Sequence, residues 1–187
     1  MTATALAAQT ITPAEREEAL RYLAATRDEV ANHVQGLTDA QWHYKPAPDR
    51  WSVAEIVEHL AIVENRVTNT ILVEIEHAEP APADRNVPYL DALVLGKGLD
   101  RTVKYRGPDF AQATGRWTPA VSLAHFLELR AQTVARLEST PYLRQHLFPH
   151  PVLGPIDGYQ WVLLVAAHAS RHANQILEVK AAPGFPS

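Results

Sequence analysis

Two histidines four residues apart, His168 and His172 in WVLLVAAHASRHANQILEVK, have the spacing that puts both imidazoles on one face of an α-helix. At about 100° per residue their side chains diverge by only ~40°, close enough to share one metal ion. Trp161, Leu164, Val165, Gln175 and Val179 fall on the same stripe, which turns the pair toward the protein interior. Cationic imidazoles are costly there. Two inward histidines must therefore be neutral and hydrogen-bonded, or bound to a cation.

A pair is a weak metal site, and a third ligand has to come from another inward face. His59, in WSVAEIVEHLAIVENRV, lies beside Ile56, Leu60 and Val63 at the edge of an apolar stripe. It is the best candidate. Three neutral imidazoles with a vacant fourth position form a catalytic type of centre, whereas a structural zinc site is normally closed by a fourth protein ligand. The zincin helix HExxH carries a glutamate beside its first histidine as general base. Ala169 stands there in this chain, which disfavours peptidase chemistry. Glu55 and Arg66 lie within ~40° of His59 and are either its second-layer partners or, as the more ordinary reading, a solvated ion pair. Glu64 and Arg171 are weaker candidates.

Composition narrows the alternatives. The chain has 187 residues, 47% of them hydrophobic, which suits one domain with a sizeable core. A net charge of −4 with interspersed signs gives no basic footprint for nucleic acid. There is no cysteine, so disulfides, thiolate catalysis and Cys-based metal sites are excluded. Any metal must be held by His, Asp or Glu. No stretch of about 18 apolar residues offers a membrane span, and the opening MTATALAAQTITPAE lacks a basic leader region. A soluble cytoplasmic protein is expected.

The elements that must position the histidines announce themselves by their caps. Thr12, Pro13 and Glu15 open a helix running to about Gln35; Ser52 and Glu55, with Trp51 stapling onto Ile56, open a second to about Glu76. Thr118 and Pro119 open a third ending near Ser139, and Asp157 with Gln160 caps a fourth that stops at Pro183 and Gly184. No period-two alternation competes, so the expected class is all-α: a four-helix bundle. Residues 78–117 are too long for an ordinary loop and offer at most a short helix around Tyr89–Leu95. They are read as a long crossover between the second and third helices, giving an up-down-down-up order. The same unpatterned segment would set substrate specificity.

Three segments together resemble a known family: LTDAQWHYKPAPDRWSVAEIVEHLAIVE, a central span with DRTVKYRGP and GRWTP, and HPVLGPIDGYQWVLLVAAHASRHANQI. They are similar to the DinB-like superfamily, bacterial four-helix bundles that carry a metal on three histidines. The resemblance covers most of the chain and implies one domain over 1–187, with 1–11 flexible, and His59, His168 and His172 as metal ligands. Members with known activity include thiol-dependent S-transferases and a mycothiol-dependent isomerase. The family therefore implies a divalent ion, zinc or nickel foremost with iron or manganese as options, and a small-molecule substrate that includes a low-molecular-weight thiol.

His150, in the HPVLGP turn, either reaches a bound substrate or, as is commoner, serves its own turn. His33, His43, His77, His125 and His146 fit polar faces or loops, and Trp51 and Trp161 fit packing anchors at helix starts. Three functional classes follow. The first is a metal-dependent transferase or hydrolase. The second is a non-catalytic metal-binding or stress-response bundle, and the third is a structural bundle without metal. Separately, the bundle's exposed outer stripes lead to the expectation of a homodimer through helix packing.

Overall fold

The computed structural model describes residues 10–102 and 107–187. Residues 1–9 of the amino-terminal stretch expected to be flexible, and 103–106 of the DRTVKYRGP motif, lie outside the described residues. Ile11 is buried in the core.

Four long helices form where the caps direct. Helix α1 spans Pro13–Val34, and Thr12 Oγ1 accepts the Glu15 amide at 3.2 Å while the Glu15 carboxylate takes the Thr12 amide at 2.6 Å. A short α2 spans Asp39–His43 behind a second reciprocal box, Thr38 with Gln41. Helix α3 spans Val53–Arg66, capped by Ser52 and Glu55 at 3.2 and 2.7 Å. Its winding continues through a π-helical turn at Val67–Ile71, an α segment at Leu72–Glu74 and a 3₁₀ turn at Ile75–His77. Helix α4 spans Val87–Leu99, capped by Asn86. Helix α5 spans Pro119–Ser139 behind Thr118, and α6 spans Gly158–Lys180 behind the Asp157 and Gln160 box.

The connecting segment 78–117 holds more order than the short helix expected around Tyr89–Leu95, because α4 is thirteen residues long. Gly98 lets it lie close on α6, since a Cβ there would stand 2.7 Å from the Ala167 Cβ. A 3₁₀ turn follows at Asp109–Ala111.

The all-α expectation needs one correction. A small antiparallel sheet joins β1 (Glu79–Pro80), β2 (His146–His150) and β3 (Gly154–Asp157) in that order. Phe148 pairs with Ile156, Pro149 with Pro155, and Pro80 with His146. Strands of two to five residues that contain Pro80, Pro149 and Pro155 are too short and too proline-rich to show alternation.

The bundle core is built from three apolar clusters, each drawing on several helices. One joins Val34, Val53, Ile56, Val57, Ile176 and Val179; the next joins Val30, Leu60, Ala61, Phe126, Ala169 and Ala173. The largest includes Leu23, Val67, Ile71, Leu137, Tyr159, Val162 and Val165. Among the described residues, no helix is long and apolar enough to cross a membrane.

Between the aliphatic clusters sits a buried ion pair. Arg130 grips both carboxylate oxygens of Glu64 at 2.8 and 2.9 Å, and donates as well to Leu23 O, Thr26 Oγ1 and Val165 O. One guanidinium thus ties α1, α3, α5 and α6 together. A second buried arginine, Arg144, holds Glu15, Asp91 and Asp157 at the start of α6.

Candidate metal centre

Helix α3 presents His59 and helix α6 presents His168 and His172, and the three rings converge. His168 Nε2 lies 3.2 Å from His59 Nε2 and 3.2 Å from His172 Nε2, and all three donor atoms fall within 4.8 Å of one another. Among the described residues this is the one group of three or more His, Asp and Glu side chains so placed. Two nitrogens on a tetrahedral ion with bonds of ~2.0–2.1 Å stand about 3.3 Å apart, close to both observed separations.

The hydrogen positions decide what this cluster suits. His59 donates Nδ1–H to Ala111 O at 2.7 Å, and His172 donates Nδ1–H to Gln175 Oε1 at 2.8 Å. Each ring therefore turns a bare Nε2 lone pair inward. His168 has at most one hydrogen on its own Nε2 for two such neighbours, so at least one contact sets lone pair against lone pair. A shared cation removes that conflict, and outward hydrogen bonds of this kind are how metal-binding histidines are usually oriented.

Electrostatics push in the same direction. Burial, above all, lowers the His59 pKa below the ordinary imidazole value, against a smaller upward pull from its bond to Ala111. Burial also drives His168 and His172 well below it, helped by the charges their neighbours would carry. The three rings are neutral near pH 7, the state in which an imidazole can take a cation.

A family model described as the DinB superfamily matches residues 22–176. The chain belongs to the DinB superfamily. It is 24% identical to the uncharacterized protein YuaE of Bacillus subtilis (strain 168) over 156 residues, 82% of this chain and 92% of that one. The four-helix bundle protein TT2238 superposes with a TM-score of 0.55 at 17% identity, covering 87% of this chain and 98% of its own. YfiT from Bacillus subtilis, described as "a probable metal-dependent hydrolase with an unusual four-helix bundle topology", superposes with a TM-score of 0.58 at 19% identity, covering 94% and 91%.

In this DinB-superfamily chain the other singled-out residues take quieter places. Glu55 completes the α3 cap and pairs with Lys45 at 2.9 Å, while Arg66 lies over the Phe110 ring. Neither holds a histidine. Glu64 belongs to the Arg130 pair, and Arg171 receives Arg101 on its backbone oxygen. His150 accepts the amides of Val152 and Leu153 on Nδ1 and packs against Trp161, so it serves its own turn. His43 and His77 are exposed, whereas His33, His125 and His146 are half-buried; His146 hydrogen-bonds Ala78 O.

Two residues do more than their patterns suggested. Trp51 does sit at the α3 start and pack on the core, yet its ring also lies 4.8 Å from that of His59 and stacks at 6.1 Å on His172. It walls the cluster. Gln175, visible on the histidine stripe, fixes the His172 tautomer, and its place one turn beyond His172 was the signal for it. Ala111 had no signal at all, because a backbone oxygen from a connecting segment leaves no mark on side-chain pattern.

Proposed function

We propose that the chain is a divalent-metal-dependent enzyme of the hydrolase or thiol-dependent S-transferase type, with His59, His168 and His172 holding the ion. The observation that carries this reading is the convergence of three Nε2 atoms with too few hydrogens among them. The likeness to YfiT, described as a probable metal-dependent hydrolase, supports it. When bound, an ion on three neutral imidazoles supplies Lewis-acid polarisation and lowers the pKa of a thiol or water. The protein's own parts do the rest. Ala111 and Gln175 hold two imidazoles in one tautomer, and Trp51 covers them on one side and limits water. With no cysteine in the chain, sulfur chemistry would use a low-molecular-weight thiol as co-substrate.

Zinc or nickel is the ion this reading favours, since both suit imidazole, ahead of iron or manganese. The up-down-down-up order belongs to it too. In support, Val34, Val53 and Val179 share one cluster while Leu23, Val67, Leu137 and Val162 share another, as that order requires. A cytoplasmic homodimer completes it, and sedimentation showing a monomer at every concentration would reject the dimer.

Protein prepared without a metal-affinity tag is expected to carry about one equivalent of metal per chain by elemental analysis. It should also consume thiol, or hydrolyse, in an assay with electrophilic substrates. Metal-stripped protein that fails to take up zinc or nickel overturns the reading, and a rate indifferent to His168→Ala removes its catalytic half. A second reading, metal binding without catalysis, is favoured by the commitments of the nearby acids. Glu58 is bound to the 114–116 backbone and Glu64 to Arg130, which leaves neither available as a proton acceptor.

A further inference from the structure

His59 depends on an acceptor that its own helix does not provide. The Nδ1–H bond goes to Ala111 O in the 3₁₀ turn of the connecting segment, and such a carbonyl is only as fixed as the segment that carries it. Gln112 Nε2 reaches back to Gly107 O at 2.8 Å, and Arg116 Nη2 reaches Gln112 O at 3.2 Å, so residues 107–116 close on themselves. That leaves the closed loop to be anchored to the bundle.

Besides the Arg66 contact on Phe110 and the burial of Ala111, the polar anchor is Glu58, the residue before His59, which is only 2% exposed. Its carboxylate accepts the amides of Thr114 at 3.0 Å, Gly115 at 2.9 Å and Arg116 at 3.4 Å, and Arg116 Nε at 3.1 Å. Successive amides turned onto one anion form a nest, and a nest needs a left-handed residue. Gly115 supplies it, with φ of 71°. Adjacent residues on one helix turn therefore hold the same loop in opposite senses: Glu58 accepts from it and His59 donates to it.

We propose that Glu58 is a positioning residue for the metal centre, acting through the 107–116 loop to hold Ala111 O against His59 and so to keep the His59 Nε2 lone pair turned inward. This rests on the metal reading of the three histidines for its effect on affinity, but not for its effect on the tautomer. Removing the carboxylate charge loosens the nest, frees the carbonyl and lets His59 exchange between tautomers. Outer partners of this kind typically govern metal affinity by about 10–100-fold.

The test compares wild type, Glu58→Gln and Gly115→Ala, using zinc titration calorimetry and ¹⁵N imidazole NMR of metal-free protein. Gly115→Ala touches nothing within 4 Å and acts through backbone conformation alone, so it serves even if Glu58→Gln fails to fold. The expected result is a zinc affinity about 10–100-fold lower for Glu58→Gln and a shift in the same direction for Gly115→Ala. The Nδ1–H signature of His59 should be lost while that of His172 persists. Unchanged His59 tautomer in every folded variant overturns the proposal. So does unchanged zinc affinity in variants of a wild type that binds zinc. If wild type binds neither zinc nor nickel, the metal reading fails, and the tautomer comparison alone then decides the role of Glu58.

Discussion

At the scale of single residues, His168 is the vertex of the cluster, because its Nε2 meets both other donors at 3.2 Å. His168→Ala should abolish measurable zinc uptake, while His150→Ala should leave it unchanged, and isothermal titration of the two variants side by side separates them. A pH dependence follows from the lowered pKa values. In unfolded, metal-stripped chain the three imidazoles take up protons as pH falls through about 6.5. The folded protein resists until the pH is lower, because burial holds all three values down, joined at His168 and His172 by neighbouring charge. The unfolded state then binds more protons, so stability is full above about pH 6.5 and falls as pH drops toward the folded values. Urea midpoints of stripped protein between about pH 7.5 and 5.5 should decline, and less steeply for His168→Ala; a flat series would contradict the assignment. His168 and His172 were legible in the sequence because helical spacing aligns them, whereas His59, on another helix, was a candidate from its place beside an apolar stripe and from the family resemblance. Glu58 was not, since a buried acid satisfied by backbone amides looks like any exposed helix glutamate until the loop is folded over it.

At the scale of elements, caps carried most of the information. The Thr12, Ser52, Thr38 and Asp157 boxes all formed as their side-chain chemistry requires, because a cap is local and needs no tertiary partner. The sheet and the full length of α4 stayed hidden for the opposite reason: each exists through what it packs against. Two glycines in α4 make this testable. Gly98 is buried, and a Cβ there would meet Ala167 at 2.7 Å, whereas exposed Gly96 has nothing within 4 Å. Gly98→Ala should cost about 1–3 kcal/mol by forcing α4 off α6. Gly96→Ala should instead gain about 0.5–1 kcal/mol from helix propensity. Chemical denaturation reads both, and equal effects would show that α4 does not rest on α6 as described. Because Ala167 precedes His168, the Gly98 variant should also bind zinc more weakly than the Gly96 variant.

At the scale of the whole molecule, the bundle's four-way tie at Arg130 is ionic, not aliphatic. Arg130 is 1% exposed and meets Glu64, which is 2% exposed, while its remaining hydrogens go to α1 and α6. Charges so placed lose their hydration, and their mutual attraction roughly offsets that loss; breaking the pair exposes the full penalty on the survivor. Glu64→Leu alone leaves a guanidinium unpaired among Leu23, Phe126 and Val165, and should cost about 3–5 kcal/mol. Arg130→Met alone strands a carboxylate and should cost a similar amount. The double variant removes both charges and leaves Leu23 O and Val165 O in their helical bonds, so it should recover most of the loss, with a strongly non-additive cycle. Additive losses would mean that Arg130 and Glu64 act independently and that their mutual pairing contributes nothing to stability. Recovery of stability together with weakened zinc binding would give the pair a positional role, holding α3 and α6 at the spacing that brings His59 to His168.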